Sequence, residues 1–131
     1  MDFLPPAIDE YTGIHTAQES DVLYELNRET HMKVLIPRML SGHIQGRILS
    51  MFSHMIQPKN VLEIGTYTGY SAICFAEGMK PDGKLITIDK NSELETMANS
   101  YFEKSGFADR IDMKIGNAMD IIPTLDMKFD L

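Results

Sequence analysis

The sequence predicts an α/β fold: a doubly wound parallel sheet preceded by N-terminal helices. Three observations predict it. Short apolar runs at 61–64, 84–88 and 111–115 alternate with helical stretches at 70–76 and 94–102. The first run turns through Gly65 and Gly69 directly into a helix. The second run ends on a carboxylate, Asp89, and the third on the short loop Gly116-Asn117-Ala118. Strand, helix, strand, helix, strand in this order implies right-handed parallel crossovers. Ligands then sit at the C-terminal ends of the strands.

Taken in order, residues 1–18 read as irregular, with Pro5 and Pro6 adjacent. Ser20-Asp21 reads as a helix start, and Val22, Leu23 and Leu26 continue that helix to about His31. Pro37 breaks the next stretch. From Gly42 a second helix carries Ile44, Ile48, Leu49, Phe52, Met55 and Ile56 at helical spacing, which predicts one buried apolar face. Gln57 to Asn60 is a polar turn into the first strand.

After the glycine turn and its helix, Lys80-Pro-Asp-Gly83 reads as a turn and Lys84–Ile88 as the second strand. Ser92-x-x-Glu95 resembles a capping box ahead of Leu94, Met97, Ala98, Tyr101 and Phe102. Gly106 marks a helix stop. Ile111–Ile115 is the third strand, Met119–Thr124 a helical turn, and Phe129–Leu131 the start of a fourth strand. The chain divides into an N-terminal helical segment, 1–57, and an α/β half, 58–131. The fourth strand is expected to pair beside the first, which would then lie inside the sheet.

Composition excludes several classes. The 131 residues suffice for one domain with a core. The net charge is −7 and the basic residues form no stripe, which argues against nucleic acid as a partner. No run approaches the roughly 20 apolar residues of a membrane span. The start, Met1-Asp-Phe-Leu-Pro-Pro6, lacks the basic-then-apolar order of a signal peptide. The single cysteine, Cys74, cannot form an internal disulfide, so a cytoplasmic setting is expected.

The ends of the strands carry the chemistry. Glu63 interrupts an apolar strand, where a carboxylate is costly unless something pairs with it. It is expected to face the crevice, not the helix layer, and to reach a ligand or backbone donors. Asp89 is either a solvated acid at a strand end or an acceptor for a ribose diol. Its position twenty residues after Gly69 favours the ribose. The turn Gly65-Thr-Tyr-Thr-Gly69 lacks the third glycine of a dinucleotide fingerprint and the Lys-Ser/Thr ending of a phosphate loop. A nucleoside with a charged, non-phosphate tail suits it better than a diphosphate.

Glu63-x-Gly65-x-x-x-Gly69, followed by Asp89 after Thr87-Ile88, resembles the S-adenosylmethionine site of class I methyltransferases. Gly69-Tyr70-Ser71-Ala72, with Arg38-Met39-Leu40-Ser41-Gly42 upstream, resembles the small O-methyltransferases of the catechol and caffeoyl-CoA type. The likeness runs from about residue 15 to the end. It implies a Rossmann-like doubly wound parallel sheet with N-terminal helices, truncated here at the start of the fourth strand. It implies that Met39 and Ser41 line the cofactor pocket, and that Glu63 and Ser71 hold the methionine part. Gly65 and Thr66 would give backbone contact, Asp89 would hold the ribose, and Asn117 and Ala118 would flank the adenine.

The resemblance further implies methyl transfer to a hydroxyl of a small, catechol-like acceptor, with a divalent cation, usually magnesium, whose ligands lie beyond residue 131. The histidines at 15, 31, 43 and 54 show no ligand-like pairing, so no metal site is expected within the chain. The only protein partner entertained is a second copy, as a homodimer. Two other readings are a nucleoside-binding fragment without chemistry and an NAD-dependent oxidoreductase. The missing third glycine and Glu63 weigh against the latter. The 131 residues alone are expected to bind cofactor weakly, to be poorly soluble and not to turn over.

Overall fold

The computed structural model describes residues 4–131; Met1–Phe3, part of the opening read as irregular, lie outside them. Strands β1 (Asn60–Ile64), β2 (Lys84–Asp89) and β3 (Ile111–Ile115) form a parallel sheet in the order β1-β2-β3. The register sets Val61 beside Leu85 and Leu85 beside Ile111, so Ile64, Asp89 and Ile115 end at one edge. Helices α4 (Tyr70–Gly78) and α5 (Glu95–Ser105) are the two crossovers. Their apolar sides meet the Val61–Leu85–Ile111 row in one core with Ile73, Ala98 and Phe102, all buried.

The opening differs from expectation. Pro6–His15 is a helix, α1, with Pro6 at its first positions. Proline is tolerated there because the first-turn N–H has no intrahelical acceptor and its fixed φ already suits a helix. None of its residues is buried. Helix α2 (Asp21–Lys33) starts as expected, with the Ser20 hydroxyl accepting from the Leu23 N–H at 3.4 Å. It lies over α4 and α5, burying Leu23 and Leu26. Thr30 donates to Thr68 at 3.1 Å, and the Tyr101 hydroxyl donates to Glu29.

Helix α3 (Gly42–Ile56) buries a different face from the one its spacing predicts. Gly46, Ser50 and Ser53 meet α4, while Ile48, Phe52, Met55 and Ile56 are exposed. Small residues win because they let the two helices come close. A Cβ on Gly46 would lie 2.6 Å from the Tyr70 ring, and one on Gly78 would lie 2.3 Å from the His54 nitrogen. The interface also carries an ion pair, Arg47 to Glu77 at 2.9 Å, and Cys74 packs within it, fully buried.

The capping box does not form. Ser92–Leu94 is a 3₁₀ turn, α5 begins at Glu95, and the Asn91 side chain caps that turn by accepting from the Glu93 N–H. Gly106 ends α5 in the left-handed region, as expected. Helix α6 (Ala118–Ile121) follows β3, and its start is capped by the Asn117 side chain. Phe129–Leu131 is not a regular strand. It already pairs with β1, however: Asp130 N–H donates to Asn60 C=O at 2.8 Å and Leu62 N–H to Leu131 C=O at 2.9 Å. These groups point away from β2, so the chain's last residues lie on the far side of β1.

Candidate functional site

The glycine turn is shaped by backbone conformations that side chains resist. Gly65 has φ 98° and Gly69 φ 90°. Gly69 needs its bare Cα on both counts, because a Cβ would lie 2.6 Å from the Phe102 ring. Gly65 meets nothing within 4 Å, so its backbone is open to a ligand. Tyr67, between them, also adopts a positive φ, 51°, which is uncommon for a non-glycine residue.

Two carboxylates flank this turn. Asp89 accepts the Tyr67 N–H at 2.8 Å on one oxygen and the Asn91 N–H at 2.9 Å on the other. A carboxylate offers about four acceptor positions, so two remain for hydroxyls of a ligand. Glu63 is arranged differently. Its side chain lies on the helix-layer face, where Ser71 donates to one oxygen at 2.5 Å and Thr87 to the other at 2.6 Å. The expectation that it faces the crevice rather than the helix layer is therefore corrected. Its donors are hydroxyls of α4 and β2, not backbone groups, and it borders the crevice through Ser71. Thr66 sits 2.6 Å from Thr87 and completes the row of hydroxyls. Burial pushes the Glu63 carboxyl up to about 7; Ser71 and Thr87 pull it down, and the nearby Asp89 charge adds to the rise.

Two concavities meet at Gly65. One of about 250 Å³ is lined by Gly65, Asp89, Lys90, Asn117 and Ala118. The other, about 50 Å³, is lined by Met39, Ser41, Gly65, Thr66, Tyr67 and Ser71. The structure thus gathers Met39, Ser41, Gly65, Thr66, Ser71, Asp89, Asn117 and Ala118 at one sheet edge, with Glu63 directly behind. Asn117 contributes backbone and surface there, since its side-chain oxygen holds the Met119 N–H at 3.1 Å.

Sequence reasoning missed Tyr67 and Thr87 as working parts. Tyr67 lay inside the glycine turn, and a bulky residue between two turn glycines was the available signal. Thr87 had none, because its partnership with Glu63 follows from strand register. Among the described residues, no group of three or more His, Cys, Asp or Glu could hold a metal ion. The local donor set therefore does not fit a divalent cation.

A family model described as O-methyltransferase matches residues 14–130. A catechol O-methyltransferase of Mycobacterium tuberculosis is 36% identical over 90 residues, which are 69% of this chain and 41% of that protein. A caffeoyl-CoA O-methyltransferase of Eucalyptus gunnii is 37% identical over 129 residues, covering 86% of this chain and 52% of that protein. The chain spans about half the length of the curated relatives it matches. Among solved structures, the O-methyltransferase TomG of Streptomyces achromogenes, in complex with SAM, superposes with a TM-score of 0.84. It is 31% identical and covers 92% of this chain and 54% of that one. The SAH-bound methyltransferase PaMTH1 of Podospora anserina gives a TM-score of 0.88 at 25% identity, over 98% of this chain and 58% of that one. With the family pattern spanning most of its length and the glycine turn and acidic strand end in place, this chain belongs to the O-methyltransferase family.

Proposed function

We propose that this chain carries the S-adenosylmethionine site of an enzyme that methylates a hydroxyl of a small, catechol-like acceptor. The observation that carries the reading is the convergence of Asp89, Gly65 and the Glu63–Ser71 pair at one strand edge. Asp89 keeps two free acceptor positions for the ribose hydroxyls. Glu63 and Ser71 offer a carboxylate and a hydroxyl beside the small pocket, suited to the ammonium of the methionine part. Gly65 and Thr66 let the ligand approach the backbone, Met39 and Ser41 close the pocket, and Asn117 with Ala118 flanks the adenine.

When bound, S-adenosylmethionine supplies an electrophilic methyl group that an acceptor oxygen displaces in line. The contribution of these residues is to orient and hold the donor, and orientation can account for much of such a rate. The family resemblance implies a divalent cation, but the described residues supply no ligand set for it and no step is assigned to it. We place the protein in the cytoplasm on its single, buried, unpaired cysteine. No helix among the described residues is long and apolar enough to cross a membrane.

Calorimetry with S-adenosylhomocysteine and with NAD tests the reading. The expected result is binding of the former alone, weakened about 10- to 100-fold in Asp89→Ala, the loss of charge-assisted bonds worth ~1.5–3 kcal/mol. Preference for NAD, or unchanged affinity in a folded Asp89→Ala, overturns it.

A further inference from the structure

The row of hydroxyls behind the small pocket has a fixed supply of hydrogens. Ser71 Oγ meets one Glu63 oxygen at 2.5 Å, and Thr87 Oγ1 meets the other at 2.6 Å. Thr66 Oγ1 lies 2.6 Å from Thr87 Oγ1. Each contact needs one hydrogen, and each hydroxyl carries one. With Glu63 charged, the Ser71 and Thr87 hydrogens both go to its carboxylate. Thr87 then has none left for Thr66, so Thr66 donates to Thr87. Three hydroxyl hydrogens serve three contacts, and none remains for a ligand.

A proton on Glu63 raises the supply to four hydrogens for the same three contacts. The spare hydrogen emerges at an end of the row. Thr66 is 1% exposed, whereas Ser71 is half-buried and lines the pocket of about 50 Å³. The carboxyl then donates to Ser71, and the Ser71 hydrogen turns into the pocket. The titratable groups acting on Glu63 are Asp89 at the end of β2 and Cys74 on α4. Burial pushes the Cys74 thiol up to about 12, so it stays neutral, and Asp89 holds the Tyr67 and Asn91 N–H groups. Arg47, which reaches Cys74 from α3, is paired with Glu77. Of the tyrosines lining the pocket, Tyr70 donates its hydroxyl to Glu19 and Tyr67 to the Ile36 carbonyl.

We propose that Thr87, backed by Thr66, is a positioning residue that fixes the direction of this row, so that the pocket takes an amino group against Ser71 and rejects a carboxylate there until Glu63 gains a proton. The inference rests on the reading that the methionine part of the cofactor lies here. A charged Glu63 and the bare lone pairs of Ser71 suit an ammonium, which brings three donors and no acceptor. A carboxylate finds no hydrogen and meets a like charge. Thr87 is the joint of the row, because it donates to Glu63 and accepts from Thr66. Its loss leaves one carboxylate oxygen without a donor, which favours neutral Glu63 and frees the Ser71 hydrogen.

The test is calorimetry of the 131-residue chain from about pH 5.5 to about pH 8. Its ligands are S-adenosylhomocysteine and the deamino analogue, which keeps the carboxylate and has hydrogen in place of the amino group. S-adenosylhomocysteine should bind at least about fivefold more tightly at the upper end, because only charged Glu63 is competent. At about pH 6 its binding should release close to one proton, read from two buffers of different ionisation enthalpy. The analogue should show the opposite slope, at least about threefold. Thr87→Val should move both midpoints up by about one pH unit, and Thr87→Ser should leave them in place. If Thr87→Val does not fold, Thr66→Val decides, with a smaller shift in the same direction. Unmoved midpoints in the folded variant overturn the role of Thr87. Flat profiles, parallel slopes for the two ligands, or a slope that persists in Glu63→Gln overturn the hydrogen count. S-adenosylhomocysteine that binds at no pH overturns the cofactor reading instead.

Discussion

The α3–α4 interface and the layer behind the crevice each hold a partly buried carboxylate, and they treat it in opposite ways. Glu77 meets the Arg47 guanidinium at 2.9 Å and accepts the Ser50 hydroxyl at 2.5 Å. Among the described residues, Glu63 has only hydroxyl donors, from Ser71 and Thr87, and no cation. Glycines follow the same division. Gly78 is pressed against the backbone of α3, whereas Gly65 faces open space at the meeting of two concavities. One region is closed by its own atoms; the other has donors, acceptors and bare backbone arranged around a gap. Changes at the interface should therefore cost stability, and changes at the crevice should register mainly in ligand binding and pH dependence.

Gly78→Ala tests the closed side and carries the largest expected effect. The new Cβ would lie 2.3 Å from the His54 nitrogen and 2.4 Å from the Ser53 carbonyl carbon. Backbone cannot rotate away as a side-chain tip can, so the loss should reach about 3 kcal/mol or more. Urea denaturation reads it directly. A loss below about 1 kcal/mol would mean that the helices separate freely and that the contrast with the crevice is false.

Glu63→Gln sharpens the contrast through pH. The folded-state value near 7 lies above the ordinary 4.5. Between those values the folded chain keeps a proton that the unfolded chain has released. This group's contribution is therefore full below pH 4.5, is lost as pH rises to about 7, and stays lost above. The swing could reach about 3 kcal/mol. Denaturation midpoints at about pH 5 and about pH 8 should differ less in Glu63→Gln than in the parent. An ammonium-bearing ligand should also bind the parent more tightly as pH rises through about 7, and this dependence should vanish in the variant. Parallel pH profiles for both proteins would show that Glu63 does not titrate in this window.

The smallest effect on stability is expected for Gly65→Ala. No atom stands within 4 Å of the new Cβ, so only the backbone strain at φ 98° remains, about 1 kcal/mol. The methyl group would project at the junction of the two concavities, and S-adenosylhomocysteine affinity should fall about tenfold. The informative comparison is the ratio of the two losses. If calorimetry shows full affinity in this variant, the ligand does not approach the turn there.

What the sequence determined by itself was local: the order of strands and crossovers, the turn around Gly65 and Gly69, the acidic strand end at Asp89, the helix start at Ser20 and the stop at Gly106. Each depends on periodicity, caps or backbone freedom within a few residues, and these act the same way wherever the segment sits. Tertiary structure decided the rest. Spacing alone named the apolar stripe of α3 as its buried face, but close approach to α4 selected Gly46, Ser50 and Ser53 instead. Two adjacent prolines suggested an irregular start, yet Pro6 fits the first turn of α1. Glu63 was expected to face the crevice and not the helix layer, whereas strand register placed the Thr87 hydroxyl beside it and the α4 start supplied Ser71 on the helix-layer face. The tie from Tyr67 to Ile36 spans 31 positions. Such contacts join residues whose sequence separation carries no period, so they exist only once the chain has folded.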